Sequence, residues 1–140
     1  SGAGLRILIL SRGSRGDVQP VLVLARHLQD RGCGVLVLTS ANLVDLCKKH
    51  WVDAKPCFPD LAFLFNKVGG LSPQGMLRFF LLHRLLGWWW RVRHPGALVD
   101  PHSAIREFRP DAILWTAGGS EGLAHAYEDR YGVPAIPVLG

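Results

Sequence analysis

Two short segments rich in small residues hold the groups best placed for chemistry. They are Ser11-Arg12-Gly13-Ser14-Arg15-Gly16-Asp17 and Ala117-Gly118-Gly119-Ser120. Each follows an apolar run and precedes a stretch with helical spacing, and small residues let backbone come close to a ligand. Asp17 is the acid of the first segment. A carboxylate there can accept the proton of a hydroxyl, or it can cap a helix, a role worth about 1 kcal/mol that needs no catalysis to explain it. Arg15 reads as a loop stabiliser or solvated cation, with an acceptor or phosphate contact as the alternative.

The first segment is not a dinucleotide fingerprint. It lacks the G-x-G-x-x-G spacing, no acid occupies 31–44 to hold a ribose, and no G-x-x-x-x-G-K-[ST] occurs anywhere. Asp17 also places negative charge at the helix start, where a phosphate would otherwise be welcome. The six histidines form no H-E-x-x-H or i, i+4 pair, so no metal site is expected. His27 reads as a packed or surface residue. His125, one helical turn beyond the second segment, could orient an acceptor or a pyrophosphate.

The elements that must position these segments follow from periodicity. Leu5–Leu10 reads as a buried strand, and the apolar positions 21, 22, 24, 25 and 28 as one face of a helix that Asp17 caps and Gly32 ends. Gly34–Thr39 is a second strand, after which Ser40 caps a helix over Ala41–Lys49. Asp53–Phe58 is a short third strand. Residues 73–86 and 97–108 look helical, interrupted by Gly87 and Pro95-Gly96. Asp111–Thr116 is a strand, Ser120–Tyr131 a helix and Ala135–Leu139 a strand. This rhythm predicts an α/β fold, a parallel sheet of about five strands flanked by helices. With the first and fourth strands adjacent, both loops border one crevice at the carboxyl ends of the strands.

The chain has 140 residues, 49% of them hydrophobic, which excludes intrinsic disorder and suits one domain. No uncharged apolar run reaches the ~20 residues of a membrane span. Residues 1–4 read as a leader or remnant, and 5–140 as the domain. Cys33, Cys47 and Cys57 are odd in number and lack a C-x-x-C pair. They are expected to be reduced, mostly buried thiols of a cytoplasmic-type environment.

The net charge is +5. Residues 71–94 contribute Arg78, Arg84, Arg91 and Arg93 with no acid among them. Within this segment, Met76–Trp90 reads first as a buried helix whose three tryptophans pack beneath a neighbouring domain. Its functional reading is an interfacial helix or a hydrophobic acceptor wall involving Trp88 and Trp89. The four arginines project around the axis rather than along one side.

Gly13-Ser14-Arg15-Gly16-Asp17-Val18-Gln19-Pro20, between a strand and the helix containing Ala25-Arg26-His27-Leu28, resembles the opening signature of family 28 glycosyltransferases. Arg109-Pro110-Asp111-Ala112-Ile113-Leu114 and Tyr131-Gly132-Val133-Pro134-Ala135-Ile136-Pro137 look like that family's fourth and fifth strands. The resemblance covers about 5–50 and 108–140 and is weak in 51–107. It implies a Rossmann-like, acceptor-side domain of a GT-B enzyme, completed by a C-terminal donor domain that is absent here. The implied reaction is inverting transfer of a hexose from a UDP-sugar to a lipophilic alcohol such as a sterol. By the same resemblance Asp17 is the base, and Gly13, Ser14, Arg15, Gly16, Gly118, Gly119, Ser120, Trp88 and Trp89 are acceptor contacts. The isolated domain would bind no cofactor, would be inactive without its donor half and could lie at a membrane surface. A second reading is a stand-alone module that binds anionic lipid or single-stranded nucleic acid through the Arg/Trp segment; nucleic acid is the less expected partner.

Overall fold

The computed structural model describes residues 4–11, 15–58, 72–116 and 121–138. Five parallel strands form one sheet: β1 (Arg6–Ser11), β2 (Gly34–Ser40), β3 (Asp53–Phe58), β4 (Ala112–Trp115) and β5 (Ala135–Pro137). Their order is β3-β2-β1-β4-β5. Helices α1 (Arg15–Asp30), α2 (Val44–Lys49), α3 (Pro73–Arg93), α4 (Pro101–Phe108) and α5 (Glu121–Tyr131) connect them, with a 3₁₀ turn at Ala41–Leu43 before α2.

Central strands buried on both faces need apolar residues at every position, and RILILS and GVLVLTS supply them. Ile7, Ile9, Val35 and Val37 pack with Val21, Leu22 and Ala25 of α1 and with Val44 and Cys47 of α2. Leu8, Leu10, Leu36, Leu38 and Ile113 face the other way, against Ala104 and Ile105 of α4 and Ala124 and Tyr127 of α5. The result is three layers. Truncating a fully buried residue such as Leu8 or Ile9 would cost about 2–5 kcal/mol.

Both edges of the sheet are modified. On β3, Pro56 sends its carbonyl outward to accept from Val99 N at 2.7 Å. A residue's N–H and C=O point to the same side of a strand, so the missing proline N–H removes no ladder bond. On β5, Ile113 N donates to Pro134 O and Val138 N donates to Trp115 O, both at 2.8 Å. The outward positions are therefore Ala135 and Pro137. Ala135 N donates to Glu128 Oε2 at 2.7 Å, and Pro137 has no N–H.

Several boundaries differ from the sequence expectation. The first helix begins at Arg15, so Asp17 is its third residue rather than its N-cap. A carboxylate in the first turn still sits where the helix dipole favours it. Ser40 occupies the cap position before the 3₁₀ turn but makes no side-chain cap bond. Gly87 does not interrupt α3, because one glycine costs only about 1 kcal/mol within a long run of helix formers. That helix starts at a cap in which Ser72 Oγ accepts from Gly75 N at 2.9 Å. It ends at His94, where Pro95 disfavours continuation. The next helix starts at Pro101 and not at 97, because Asp100 caps it, Oδ1 accepting from His102 N at 3.3 Å.

The Met76–Trp90 segment lies within α3. Of its three tryptophans only Trp90 is buried, stacked on His94 at 4.3 Å. Leu77, Leu81, Leu85, Trp88 and Val92 are all exposed. At 100° per residue these five fall within an arc of about 80°. Exposed Arg84 and Arg91 border one side of that arc and Arg78 the other.

Candidate functional site

In an open parallel sheet the binding crevice forms at the carboxyl edge, where the chain's progress across the sheet reverses. Here that point lies between β1 and β4, from which β2-β3 and β5 run in opposite directions. Ile7 pairs with Ala112, and Leu10 with Trp115, so the two strands end side by side at Ser11 and Trp115. The expected adjacency of the two loops' starting points is therefore present. Arg15, Gly16 and Asp17 form the opening turn of α1 at this edge. Gly13, Ser14, Gly118, Gly119 and Ser120 lie outside the described residues.

The edge carries polar groups that the sequence reading missed. Ser11 and Thr39 are register partners on β1 and β2, both fully buried, and neither hydroxyl has a hydrogen-bond partner among the described residues. They continue the Ile7-Ile9 and Val35-Val37 face, the one packed on α1. Next to Ser11, Thr116 follows β4, its N donating to Leu10 O at 3.1 Å and its Oγ1 at 3.5 Å. Three hydroxyls thus form a row across β2, β1 and β4. On the opposite face the buried Ser40 Oγ and Trp115 Nε1 also have no partner among the described residues. An unpaired buried hydroxyl costs about 1–3 kcal/mol, and a core of Ile, Val and Leu would have avoided it. A signal was available in the sequence: LILS, VLTS and ILWT each end an apolar strand in hydroxyl residues.

On α5, His125 sits edge-on to Trp115 with ring centroids 5.8 Å apart. Its Nδ1 is 3.9 Å from Glu128 Oε1, and the other carboxylate oxygen of Glu128 is held by Ala135 N. This places His125 beside the end of β4. His27 is exposed on α1, away from that edge. Trp88 is 62% exposed. Trp89 is half-buried beneath the Arg93 guanidinium, 5.3 Å from its ring centroid. Neither tryptophan belongs to either core cluster.

Two surface depressions lie elsewhere. One, of about 400 Å³, opens at the amino edge between Arg6, Asp53, Lys55 and Glu107. The other, of about 270 Å³, follows the outer face of α1. Among the described residues no group of His, Cys, Asp and Glu could hold a metal ion, and no helix is long and apolar enough to cross a membrane.

No protein-family model matches the chain. Individual proteins do. A UDP-N-acetylglucosamine--N-acetylmuramyl-(pentapeptide) pyrophosphoryl-undecaprenol N-acetylglucosamine transferase from Photorhabdus laumondii is 28% identical over 138 residues, 97% of this chain and 34% of that protein. The protein of the same description from Photobacterium profundum is 28% identical over 133 residues, 94% of this chain and 33% of that protein.

The chain resembles the N-terminal domain of family 28 glycosyltransferases.

It spans about a third of the length of these curated relatives. Solved structures agree on architecture. The glycosyltransferase SsfS6 from Streptomyces sp. SF2575 superposes with a TM-score of 0.61 at 21% identity, covering 95% of this chain and 38% of that one. The glycosyltransferase VinC, in complex with dTDP, superposes with a TM-score of 0.60 at 18% identity, covering 94% of this chain and 33% of that one. At these identities the likeness concerns the fold: a Rossmann-like GT-B domain with five parallel strands and flanking helices.

Proposed function

We propose that this chain is the acceptor-side domain of an inverting glycosyltransferase that moves a hexose from a UDP-sugar to the hydroxyl of a lipophilic acceptor. The observation that carries the reading is the pairing of β1 with β4, which brings the first turn of α1 and the end of β4 to one edge. The relatives' descriptions name a UDP-sugar and a pyrophosphoryl-undecaprenol. They favour a lipid-linked acceptor, and they weigh towards a polyprenyl rather than a sterol carrier.

In the proposed reaction the acceptor oxygen attacks the anomeric carbon, the bond from that carbon to the UDP oxygen breaks, and UDP leaves with the electron pair. Asp17 receives the acceptor's proton. Its place in the first turn of α1, at the end of the central strand, suits this role. Gly13, Ser14, Arg15, Gly16 and the 117–120 loop shape the acceptor crevice, with the hydroxyls of Ser11, Thr39 and Thr116 beneath it. The sugar nucleotide is bound mainly by a C-terminal donor domain, and the 140-residue chain alone is inactive.

Trp88 belongs to the apolar stripe of α3 and Trp89 lies beside it. That stripe, bordered by Arg78, Arg84 and Arg91, suits contact with the surface of an anionic membrane, where a lipophilic acceptor resides. The same stripe is the one specific feature that favours a lipid-binding module without transfer.

The deciding experiment is transfer of labelled sugar from UDP-N-acetylglucosamine or UDP-glucose to a lipid extract by the complete enzyme, beside its Asp17→Asn variant. The expected result is product in the wild type and a loss of about 10²-fold or more in the variant. Equal rates would remove Asp17 as the base, and the absence of transfer from either donor would leave the lipid-binding module.

A further inference from the structure

Arg6 opens β1 at the amino edge of the sheet, the edge opposite the proposed transfer crevice. Three contacts fix it. Its backbone N donates to Asp111 Oδ2 at 2.8 Å, its Nε donates to Phe108 O at 2.5 Å, and its guanidinium carbon lies 4.3 Å from the Phe108 ring centroid. The side chain then runs past Gly34, where the place a Cβ would take is 4.0 Å from Arg6 Nη1. Asp111 serves the backbone and leaves the guanidinium without a carboxylate. Among the described residues no acceptor meets Nη1 or Nη2. An arginine held in this way has lost its side-chain freedom before a ligand arrives, and its outer edge still offers parallel N–H groups to a pair of oxygens.

Arg6 lines the larger of the two depressions, of about 400 Å³. Val35, Leu36 and Ala54 give it an apolar floor, and its other charged groups are Lys48, Asp53, Lys55 and Glu107. Lys55 Nζ lies 3.4 Å from Glu107 Oε2, so those two charges offset one another. Arg6, Lys48 and Asp53 remain, two cations against one acid. Lys48 and Asp53 are exposed, and neither forms an ion pair among the described residues. A single further negative charge brings this lining to neutrality. A doubly charged anion would meet the repulsion of Asp53 and Glu107 without a matching cation.

We propose that this depression is a binding site for a small organic monocarboxylate. The two carboxylate oxygens lie on the Arg6 fork, with Lys48 adding its charge, and the hydrocarbon part rests against Val35, Leu36 and Ala54. The site is at the amino edge of the sheet, so it is separate from the proposed transfer crevice and requires nothing of it.

The test is titration of the chain with sodium isovalerate and, separately, sodium benzoate, followed by the backbone amide resonances of Leu36, Ala54 and Phe108 and by calorimetry, with sodium chloride as the control. Binding of at least one carboxylate is expected, with a dissociation constant of ~1 mM. Arg6→Lys keeps the charge but loses the fork and should weaken binding by about tenfold. Lys48→Ala should weaken it by about threefold, whereas Asp53→Asn, which removes a repelling charge, should tighten it by about twofold. Both of these side chains are exposed, so their opposite effects hold the test even if Arg6→Lys disturbs the fold. The proposal is overturned if neither carboxylate binds at about 10 mM, if a well-folded Arg6→Lys binds like wild type, if Asp53→Asn weakens binding, or if inorganic phosphate binds more tightly than both carboxylates.

Discussion

Arg6 and Asp111, 105 residues apart, exchange two hydrogen bonds: Arg6 N donates to Asp111 Oδ2 at 2.8 Å, and Asp111 N donates to Arg6 O at 2.6 Å. The Arg6 side chain closes the same joint. Its Nε donates to Phe108 O at 2.5 Å, and its guanidinium lies 4.3 Å from the Phe108 ring centroid. The pair fixes the start of β4 against the start of β1, and so sets which residues meet at the opposite ends of these strands. Asp111→Ala should lower stability by about 1 kcal/mol in urea unfolding, with Asp111→Asn intermediate because its amide oxygen can still accept. A neutral Asp111→Ala would show that the ladder alone holds the register.

Tyr127 is fully buried between the sheet and α4, edge-on to His102 at 4.9 Å, and its hydroxyl has no partner among the described residues. Burial raises the phenol above its ordinary range. Deleting the oxygen removes an unpaid desolvation cost and leaves the ring packing intact. Tyr127→Phe should therefore stabilise the chain by about 0.5–1.5 kcal/mol, measured as a higher urea midpoint at unchanged slope. A lower midpoint would mean that an ordered water serves the hydroxyl.

Burial also raises the Cys47 thiol to about 11 and the Cys57 thiol to about 12. The folded state then holds protons that an unfolded thiol releases near pH 8.5. The corresponding stability is fully present below that pH and is lost as pH rises towards 11–12. Urea midpoints should fall across this alkaline window, and less so in Cys47→Ala/Cys57→Ala when each is compared with its own value at pH 7. At pH 8 a thiol reagent should label the half-buried Cys33 first and reach the other two only on unfolding.

The exposed stripe of α3 makes a surface prediction. Leu81→Ser combined with Trp88→Ser removes two side chains that are 73% and 62% exposed. Folding stability should stay within about 0.5 kcal/mol, while co-sedimentation with phosphatidylglycerol vesicles falls by about tenfold or more. Binding that survives the double change would detach this helix from the proposed membrane contact.

Strands were the legible part of this molecule, because a doubly buried strand must be apolar throughout and then stop. Asp53–Phe58 was read to the residue, whereas the adjacency of the first and fourth strands entered the sequence reading only as a condition and is supplied by the sheet order. Helix ends were less legible. Asp17 looks like a cap, but a cap and a first-turn acid carry the same residue type three positions apart. Gly87 looks like a stop, yet nothing local announces that its neighbours outweigh it. The Met76–Trp90 segment reads as helical, but which of its apolar residues find partners within the chain is set by the fold: Trp90 does, whereas Leu77, Leu81, Leu85 and Trp88 stay exposed. The candidate site divides in the same way. Asp17 could be selected by its loop, whereas the row of Ser11, Thr39 and Thr116 exists only once three strands are in register. The left-handed backbone at Trp51 and Arg109 carried no signal, since it is invisible in a string of letters.

The treatment of the two sheet edges has a consequence for the chain at high concentration. An incoming strand needs a file of free N–H groups to template on. On β5, one outward N–H is bound by the Glu128 carboxylate and the next is missing at Pro137. On β3, the outward carbonyl of Pro56 is already taken by Val99. Fibril growth by strand addition would first have to break these contacts, so Glu128→Ala should make β5 the weak point from which ordered aggregates seed.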